Sequence, residues 1–210
     1  MKRLILIALA LFISACATPK VENNAEFYNN RGISYARKGQ YERAISDFTK
    51  AIEINPRYAK VYYSRGVIYQ GRGQYNKAIS DYTKAIEINP RYTGAYENRG
   101  VAYRQAGQYD QAISDYNKAI EINPGHALTY NNRGNAYLSK GQYERAISDF
   151  TEAIELNPKF AWAYNNRGGA YYFKGEYDKA WEDVYKAQSL GHQVHPGFLK
   201  LLREASGRQE

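Results

Sequence analysis

The sequence has few of the residues that metal sites, disulfides and thiol catalysis require. Its 210 residues include one cysteine, one methionine and three histidines. A single cysteine excludes an internal disulfide framework and any metal site built from several cysteines. His192 and His195 have the spacing of a metal-binding pair on a helix, but they flank a Gly-to-Pro stretch with no cysteine or aspartate nearby. We therefore predict no metal and no cofactor.

Motifs of several enzyme classes are also missing. No serine lies in a G-x-S-x-G turn, and no phosphate-binding loop of the G-x-x-x-x-G-K-S/T type is present. The formal charge is +8, but the basic residues are scattered rather than clustered, so we predict no nucleic-acid partner. These absences favour a protein that is not an enzyme.

The first sixteen residues have the layout of a secretory signal peptide. A basic pair at residues 2–3 is followed by ten apolar residues and then by small residues and a cysteine. The apolar run is about half as long as a membrane-spanning helix requires. Residues 13–16, Ile-Ser-Ala-Cys, resemble the bacterial lipobox, which implies that residues 1–15 are removed and that Cys16 carries lipid. An ordinary secretory signal with an incidental cysteine is the alternative.

The lipobox resemblance also implies a location. Two or more acyl chains anchor a protein stably in a membrane, whereas one chain does not. Residues 16–24 would form a tether of at most ~30 Å. In lipoproteins retained in the inner membrane an aspartate tends to follow the cysteine, and here that residue is Ala17. We expect an exported protein, lipid-anchored in the cell envelope, specifically in the outer membrane facing the periplasm.

Internal repeats organise the rest of the chain. The pair Arg-Gly recurs every 34 residues, five times. This period divides the chain into the frames 25–58, 59–92, 93–126, 127–160 and 161–194. Counted from the start of each frame, positions 4, 11 and 17 are always Tyr, positions 8 and 15 are always Gly, and positions 20 and 27 are always Ala. Position 32 is Pro in four frames.

This pattern resembles the tetratricopeptide repeat, in which small and aromatic residues fall at the same positions of a 34-residue period. Position 4 departs from that family by being Tyr rather than Trp, and position 7 by being Arg rather than Leu. The fifth frame departs further, with Trp181, Val184 and His192, as terminal repeats do because they cap the stack. The resemblance implies an all-α, right-handed superhelical solenoid of five helix-turn-helix repeats.

The residues themselves predict two packed helices in each frame. Positions 4, 8 and 11 share one helix face, and glycine at position 8 with alanine at position 20 allows the helices to approach closely. Gly39 and its equivalents end the first helix in a left-handed cap. The Asn-Pro pair at residues 55–56 and its equivalents end the second helix. Residues 195–210 contain one more amphipathic helix, which we predict to cap the stack; a functional amphipathic segment is the alternative.

A regular set of charges accompanies the repeats. Arginine occupies position 7 and aspartate position 23 in all five frames. We predict salt bridges within a repeat or between neighbours, each an exposed pair that stabilises the fold by only ~0–1 kcal/mol. A ladder of free arginines for an anionic polymer is the alternative, which the matching number of aspartates disfavours.

The family resemblance implies that the first helices line a concave surface on which partners bind. Positions 2, 5, 9, 12 and 13 usually face that surface, and here they vary between frames. The carboxylate clamp of chaperone-binding members is absent, because Ile33, Ser64 and Gly94 stand at three of its positions. The C-terminal half instead combines amides with aromatic anchors. We predict that it binds an extended or helical peptide through Asn131, Asn135, Leu138, Trp162, Asn165, Tyr172 and Phe173.

Asparagines at position 6 form a second candidate set. Asn98, Asn132 and Asn166 resemble the asparagine ladder with which some superhelical repeat proteins hold a peptide backbone. Local hydrogen bonding on the helix surface is the alternative. For the C-terminal aromatic residues, the alternative to partner binding is packing beneath the capping helix.

The leading hypothesis for function is a non-enzymatic scaffold of the bacterial cell envelope. It would be a monomer that holds a protein or peptide partner, either to recruit peptidoglycan enzymes or to assemble a pilus or secretion complex. The alternatives are a regulatory subunit of an envelope enzyme and a surface lipoprotein that binds glycan or anionic lipid.

Overall fold

The structure, a computed structural model, describes residues 24–208; the signal peptide and Cys16 lie outside the described residues. Within that range every regular element is an α-helix, and none is both long and apolar enough to span a membrane. The helices are α1 Ala25–Arg37, α2 Tyr41–Ile54, α3 Ala59–Gly71, α4 Tyr75–Ile88, α5 Thr93–Gln105, α6 Tyr109–Ile122, α7 Ala127–Ser139, α8 Tyr143–Leu156, α9 Ala161–Phe173, α10 Tyr177–Ser189 and α11 Pro196–Ser206.

The helices pack in pairs that follow the repeat frames. Helix α1 packs along α2, α3 along α4, and so on to α9 along α10, and each second helix also contacts the next repeat. The first helices of successive repeats touch one another directly, from α1 with α3 to α7 with α9. They form the inner layer of the stack, and the second helices form the outer layer. The predicted helix-turn-helix solenoid with a C-terminal capping helix is confirmed.

The turn inside each repeat depends on glycine at position 15. Gly39 and its four equivalents have φ between 70° and 77°, a left-handed conformation that other residues rarely adopt. This allows the amide of Gln40 to donate to the carbonyl of Tyr35 at 2.9 Å, which closes the end of α1. The second helices end as predicted, with Asn55 as the C-cap of α2.

The two helices of a repeat approach so closely at position 8 that a β-carbon has no room. A β-carbon on Gly100 would lie 2.7 Å from Cε1 of Tyr116, and one on Gly134 would lie 2.7 Å from Cε1 of Phe150. In the first four repeats, therefore, the aromatic ring at position 24 occupies the space that a side chain at position 8 would take. These rings and the alanines at position 20 are fully buried.

Arginine at position 7 makes the central polar contact of each repeat. Nε and Nη2 of Arg99 donate to the two carboxylate oxygens of Asp115 in the same repeat, at 2.8 and 2.7 Å. Nη1 donates to Oγ1 of Thr83 in the preceding repeat, at 2.9 Å. All five repeats have the bidentate pair, and repeats 2–5 have the third bond as well. The aspartates are only 4–5% exposed, so the expectation of exposed pairs was wrong.

Tyrosines at positions 4 and 11 flank this arginine. The guanidinium carbon of Arg99 lies 5.7 Å from the ring centroid of Tyr96 and 5.9 Å from that of Tyr103, within the range of a cation–π contact. Burial raises the pKa of Asp115, and Arg99 opposes that rise. Arginine at position 7 therefore replaces the leucine of the family pattern because two rings and a buried carboxylate surround it.

Helix α11 takes the place of the inner helix of a sixth repeat. At the preceding junction, Ala170 packs on Ala146 and Phe150. Leu202 of α11 packs in the corresponding way on the last complete repeat, against Val184 and its neighbours. Val184 is smaller than the aromatic ring of the other repeats, and the larger Leu202 fills the space that this leaves.

Helix α11 also ends at a glycine in the left-handed conformation. Gly207 has φ 69°, the conformation of the turn glycines, and follows Gly175 by 32 residues rather than 34. At the other end, Pro196 occupies the first turn and Nδ1 of His195 accepts from the amide of Gly197 at 3.1 Å. The loss of two residues takes this half-repeat out of the 34-residue period.

Candidate functional site

A groove of about 460 Å³ lies at the C-terminal end of the inner layer, between α7, α9 and α11. Six of the ten predicted partner-binding residues line it: Leu138, Trp162, Asn165, Asn166, Tyr172 and Phe173. The rest of the wall comes from Gly169, His192, Gln193, His195, Phe198 and Leu201.

Two large aromatic rings in the groove remain open to solvent. Trp162 is 61% exposed and Phe173 is 58% exposed. The ring centroids of Trp162 and His192 lie 4.6 Å apart. The Phe173 ring stacks on that of Tyr143, with centroids 5.5 Å apart and an interplanar angle of 9°. These neighbours hold the two rings in place from one side and leave most of their surface uncovered.

Tyr172 has a different environment. Its ring meets that of Phe198 of α11 edge-on, with centroids 5.7 Å apart and an interplanar angle of 89°. It also contacts the rings of Phe173 and Tyr177. Packing beneath the capping helix, which was the alternative for all the C-terminal aromatic residues, therefore applies to Tyr172 but not to Trp162 or Phe173.

The groove offers amides and no carboxylate, ammonium or guanidinium group. Asn165, Asn166 and Gln193 contribute carboxamides, and none of the lining residues is Asp, Glu, Lys or Arg. An amide supplies both a donor and an acceptor, and an exposed ring supplies apolar area. This combination suits an uncharged segment with an apolar side chain and an exposed backbone.

Two of the position-6 asparagines link neighbouring inner helices. Nδ2 of Asn166 donates to Oδ1 of Asn131 at 2.9 Å, and Nδ2 of Asn98 donates to the hydroxyl of Tyr63 at 2.8 Å. Both bonds reach position 5 of the preceding repeat, so they are not local bonds within one helix. Asn131 is only 5% exposed, and its carbonyl oxygen already accepts from Asn166, so it offers a partner very little surface.

The remaining predicted residues lie outside the groove. Asn132 and Asn135 are half-buried on α7, and Asn98 lies two repeats away on α5. Sequence reasoning missed the wall from residues 192–201, because the two-residue shift of α11 conceals its equivalence to an inner helix. The apolar run of α11 was the one signal for it. Residues 24–208 hold no cluster of three or more potential metal ligands.

Solved structures share this architecture. The crystal structure of MamA is 28% identical, with a TM-score of 0.73, over 76% of this chain and 94% of that one. The crystal structure of PilW, described as a widely conserved type IV pilus biogenesis factor, is 19% identical, with a TM-score of 0.77, over 88% of this chain and 87% of that one.

Sequence comparison agrees with the fold. A 48-residue stretch is 38% identical to the mitochondrial import receptor subunit TOM70 of Rattus norvegicus, covering 23% of this chain and only 8% of that protein. Family profiles described as tetratricopeptide repeat match residues 25–58, 59–92 and 81–114, and one described as TPR repeat matches 100–141 and 134–175. The matches run through four repeats and into the fifth, and the structure adds the rest of the fifth helix pair. The chain belongs to the tetratricopeptide-repeat family.

Proposed function

We propose that the protein is a scaffold that holds a peptide or protein segment in the groove between α7, α9 and α11. The exposure of Trp162 and Phe173 on the inner surface carries this proposal. Large apolar side chains that share one groove mark an interaction site, because covering them with a partner removes apolar area from water. The adjacent amides bond to a peptide backbone without reading its sequence.

The proposed setting is the bacterial cell envelope. The lipobox resemblance at Cys16 supports a lipid anchor, and Ala17 supports the outer membrane facing the periplasm. PilW, which shares the fold, is described as a pilus biogenesis factor. Assembly of a pilus or secretion complex, or recruitment of peptidoglycan enzymes, is the role that we propose for such a scaffold. The exposed charges Lys200, Arg203 and Glu204 of α11 disfavour end-to-end stacking and support a monomer.

A crosslinking pull-down from envelope membranes tests the groove. The informative variant is Trp162→Ala with Phe173→Ala, because Tyr172 packs against α11 and its loss would disturb the cap. The matched control is Tyr41→Ala with Leu156→Ala, which removes exposed apolar side chains from outer helices. Unchanged helical circular dichroism is required of both variants.

We expect specific proteins to be captured by the wild type and by the control, and to be lost from the groove variant. Equal capture by both variants would show that the groove is not the docking site. If envelope glycan is captured instead of protein, and is released by the groove variant, the exposed rings bind sugar and the scaffold proposal fails.

The anchor is tested separately by Cys16→Ser. We expect the wild type to fractionate with membranes and to incorporate labelled fatty acid, and the variant to do neither. If the variant still incorporates the label, Cys16 is not the lipidated residue, and the groove proposal is unaffected.

A further inference from the structure

The N-terminal end of the stack exposes a helix face that the later repeats keep covered. Ala95 and Ala102, at positions 3 and 10 of α5, pack on the second repeat, and Arg99 at position 7 bonds to it as well. These positions are three or four residues apart, so they share one helix face, and position 14 follows at the end of the helix. Among residues 24–208 no helix precedes α1. Its residues at these positions, which we call the end face, are Phe27, Arg31, Ser34 and Lys38.

Arg31 shows what the lack of a preceding repeat changes. Its Nε and Nη2 donate to Asp47 at 2.7 and 2.8 Å, as in the other repeats. Nη1 of every later arginine at position 7 donates to position 25 of the preceding repeat, whereas Nη1 of Arg31 bonds to no residue between 24 and 208. The Arg31 side chain is 42% exposed, and those of the later arginines are 16–19% exposed. A guanidinium that Asp47 holds in place therefore presents two N–H donors at the end face.

Two lysines at this end also differ from their counterparts in later repeats. Lys38 stands at position 14, where three of the four later residues pair with an acidic residue of the preceding repeat. Lys50 of α2 stands at position 26, and its Nζ lies 5.5 Å from the ring centroid of Tyr28 on α1. The position-26 lysines of the second and third repeats pair with a glutamate. Within residues 24–208, neither Lys38 nor Lys50 has an ion-pair partner.

The charge at this end favours an anionic surface over a second copy of the chain. Asp47 balances Arg31 and is only 4% exposed, whereas Lys38 and Lys50 are exposed. The end face of a second copy would bring the same two lysines. The opposite end of a second copy would bring α11, which has two basic residues and one acidic residue. Like charges brought together oppose association, so both arrangements are disfavoured.

The chain itself brings an anionic surface within reach. Cys16, the proposed lipidated residue, precedes Asn24 by eight residues, which span at most ~30 Å when extended. Asn24 is the N-cap of α1, so the tether joins the stack at the end that carries the end face. Anionic lipids attract basic residues that lie within a Debye length of the membrane, and apolar side chains add contact with the headgroup boundary.

We infer that the end face docks on the anionic headgroups of the membrane that holds the anchor, an inference that rests on the proposed lipidation of Cys16. Lipid phosphates accept hydrogen bonds from Nη1 of Arg31 and from the ammonium groups of Lys38 and Lys50. Phe27 lies at the headgroup boundary. The stack then stands on its first repeat. The groove between α7, α9 and α11 lies four inner-helix spacings away, ~30–40 Å along the stack, and faces partners beyond the membrane surface.

Lysine footprinting on vesicles tests this contact in the wild-type chain, residues 16–210. Cys16 is the only cysteine, so a maleimide lipid couples the chain to vesicles at the proposed anchor, whether or not a cell acylates it. The vesicles are phosphatidylcholine alone or phosphatidylcholine with about 40 mol% phosphatidylglycerol. Brief acetylation followed by mass spectrometry gives the reaction rate of each lysine.

On the anionic vesicles we expect Lys38 and Lys50 to react about threefold or more slowly than on the neutral ones, and high salt to remove the difference. Lys118 and Lys200, which lie elsewhere on the stack, should react equally on both. Equal rates at Lys38 and Lys50 on both vesicles overturn the inference. Slow reaction that persists without vesicles also overturns it, because another part of the chain or a second copy then covers the end face.

Charge reversal separates the position of the lysines from the net charge. Lys38→Glu is read at Lys50, and Lys50→Glu is read at Lys38. The matched controls are Lys200→Glu and Lys186→Glu, since they change the net charge equally and Lys186 occupies position 26 of the fifth repeat. Unchanged helical circular dichroism is required of all four variants.

We expect each end-face variant to lose about half or more of the slowing at the remaining lysine, and the controls to keep it. Equal losses in variants and controls would show that net charge alone attracts the lipid, and the inference fails while the groove proposal stands. If cells do not acylate Cys16 but the vesicle contact appears as expected, the proposed anchor fails and the end face remains a membrane-binding surface.

Discussion

Position 8 is glycine because an aromatic ring packs against it, and not because of any chemical role. Glycine is accepted in the middle of an inner helix, despite its conformational cost of ~0.5–1 kcal/mol relative to alanine, because the ring at position 24 lies where a β-carbon would be. The adjacent position in the fifth repeat has no such neighbour: a β-carbon on Gly169 would meet nothing within 4 Å. Packing therefore requires a glycine at position 8, whereas Gly169, which also lies inside an inner helix, has room for a side chain.

We expect Gly134→Ala to lower the free energy of unfolding by ~1–3 kcal/mol, because the added methyl would push against the ring of Phe150. Gly169→Ala is the matched control and should raise it by up to ~1 kcal/mol, through helix propensity. Urea unfolding followed by circular dichroism measures both. A tolerated Gly134→Ala would mean that the ring moves aside at little cost.

Four buried or half-buried tyrosines are expected to make the protein sensitive to alkaline pH. Burial and the neighbouring Tyr63 raise the pKa of Tyr92 to about 12, and burial also raises the pKa of Tyr63, Tyr82 and Tyr116. In the unfolded chain a tyrosine titrates near ~10. Because the folded pKa is the higher one, the stability from these phenols is fully present below pH ~10 and is lost as the pH rises towards about 12.

We therefore expect the ultraviolet absorbance of tyrosinate to rise in two phases, with the second accompanied by loss of helical circular dichroism. The protein unfolded in guanidinium is the control and should show one phase near pH ~10. Titration of all 22 tyrosines in one phase, with the helices intact, would contradict the prediction.

Among the helices, the last junction shows how volume is conserved when a repeat departs from its pattern. Val184 stands where the first four repeats have an aromatic ring, and Leu202 of α11 stands where α5, α7 and α9 have alanine. The two changes compensate because a close-packed junction tolerates exchange of volume better than its loss.

A double-mutant cycle tests this compensation. We expect Leu202→Ala to cost ~2–5 kcal/mol of unfolding free energy through the cavity it leaves. Val184→Phe alone should cost ~1–3 kcal/mol by overpacking. The double variant restores the pair of ring and alanine found at the junctions that α5, α7 and α9 make with the preceding repeat, so it should be more stable than the sum of the two losses predicts. Strict additivity in thermal or urea unfolding would show that the two residues do not share one space.

On the scale of the whole stack, a line of surface ion pairs joins neighbouring repeats. Each connects position 18 of one repeat to the residue 30 positions later: Glu42–Arg72, Asp110–Lys140, Glu144–Lys174 and Asp178–Arg208. The junction between the second and third repeats has Asn76 and Ala106 instead, and a cleft opens there. Since a repeat contacts only its neighbours, each junction contributes separately to cooperativity.

We expect Asn76→Glu with Ala106→Lys to stabilise the stack by ~0.2–1 kcal/mol at low salt, and the gain to shrink as the ionic strength rises. The single variants are the controls, and urea unfolding at two salt concentrations gives the coupling energy. A gain that is independent of salt would point to helix propensity rather than to the ion pair.

Local physics made much of this architecture predictable. The spacing of Gly39 and its equivalents indicated the turns, and the Asn-Pro pairs indicated the ends of the second helices, because both depend on backbone preferences that a single residue sets. The pairing of positions 7 and 23 was also predictable from their equal recurrence. Its burial was not, because the solvent exposure of a side chain depends on the neighbouring repeat.

The groove was predicted only in part. Trp162 and Phe173 were found from the variable positions of the inner helices, but their exposure and the packing of Tyr172 depend on where α11 lies. The contact between Arg104 and Tyr116 was not found, because twelve residues separate them in the chain and only the close packing of α5 on α6 brings them together.

The sequence by itself determined the helices, the turns, the number of repeats and the stacking order, since each follows from residue preferences repeated at a fixed period. Only the tertiary structure decided which side chains remain exposed to solvent. The shifted register of α11 leaves two rings exposed and covers a third, and the packing of α3 on α4 gives the buried hydroxyl of Tyr82 an acceptor on Gln70. Exposure and hydrogen-bond satisfaction belong to the packed stack, because they depend on atoms that residues distant in the chain supply.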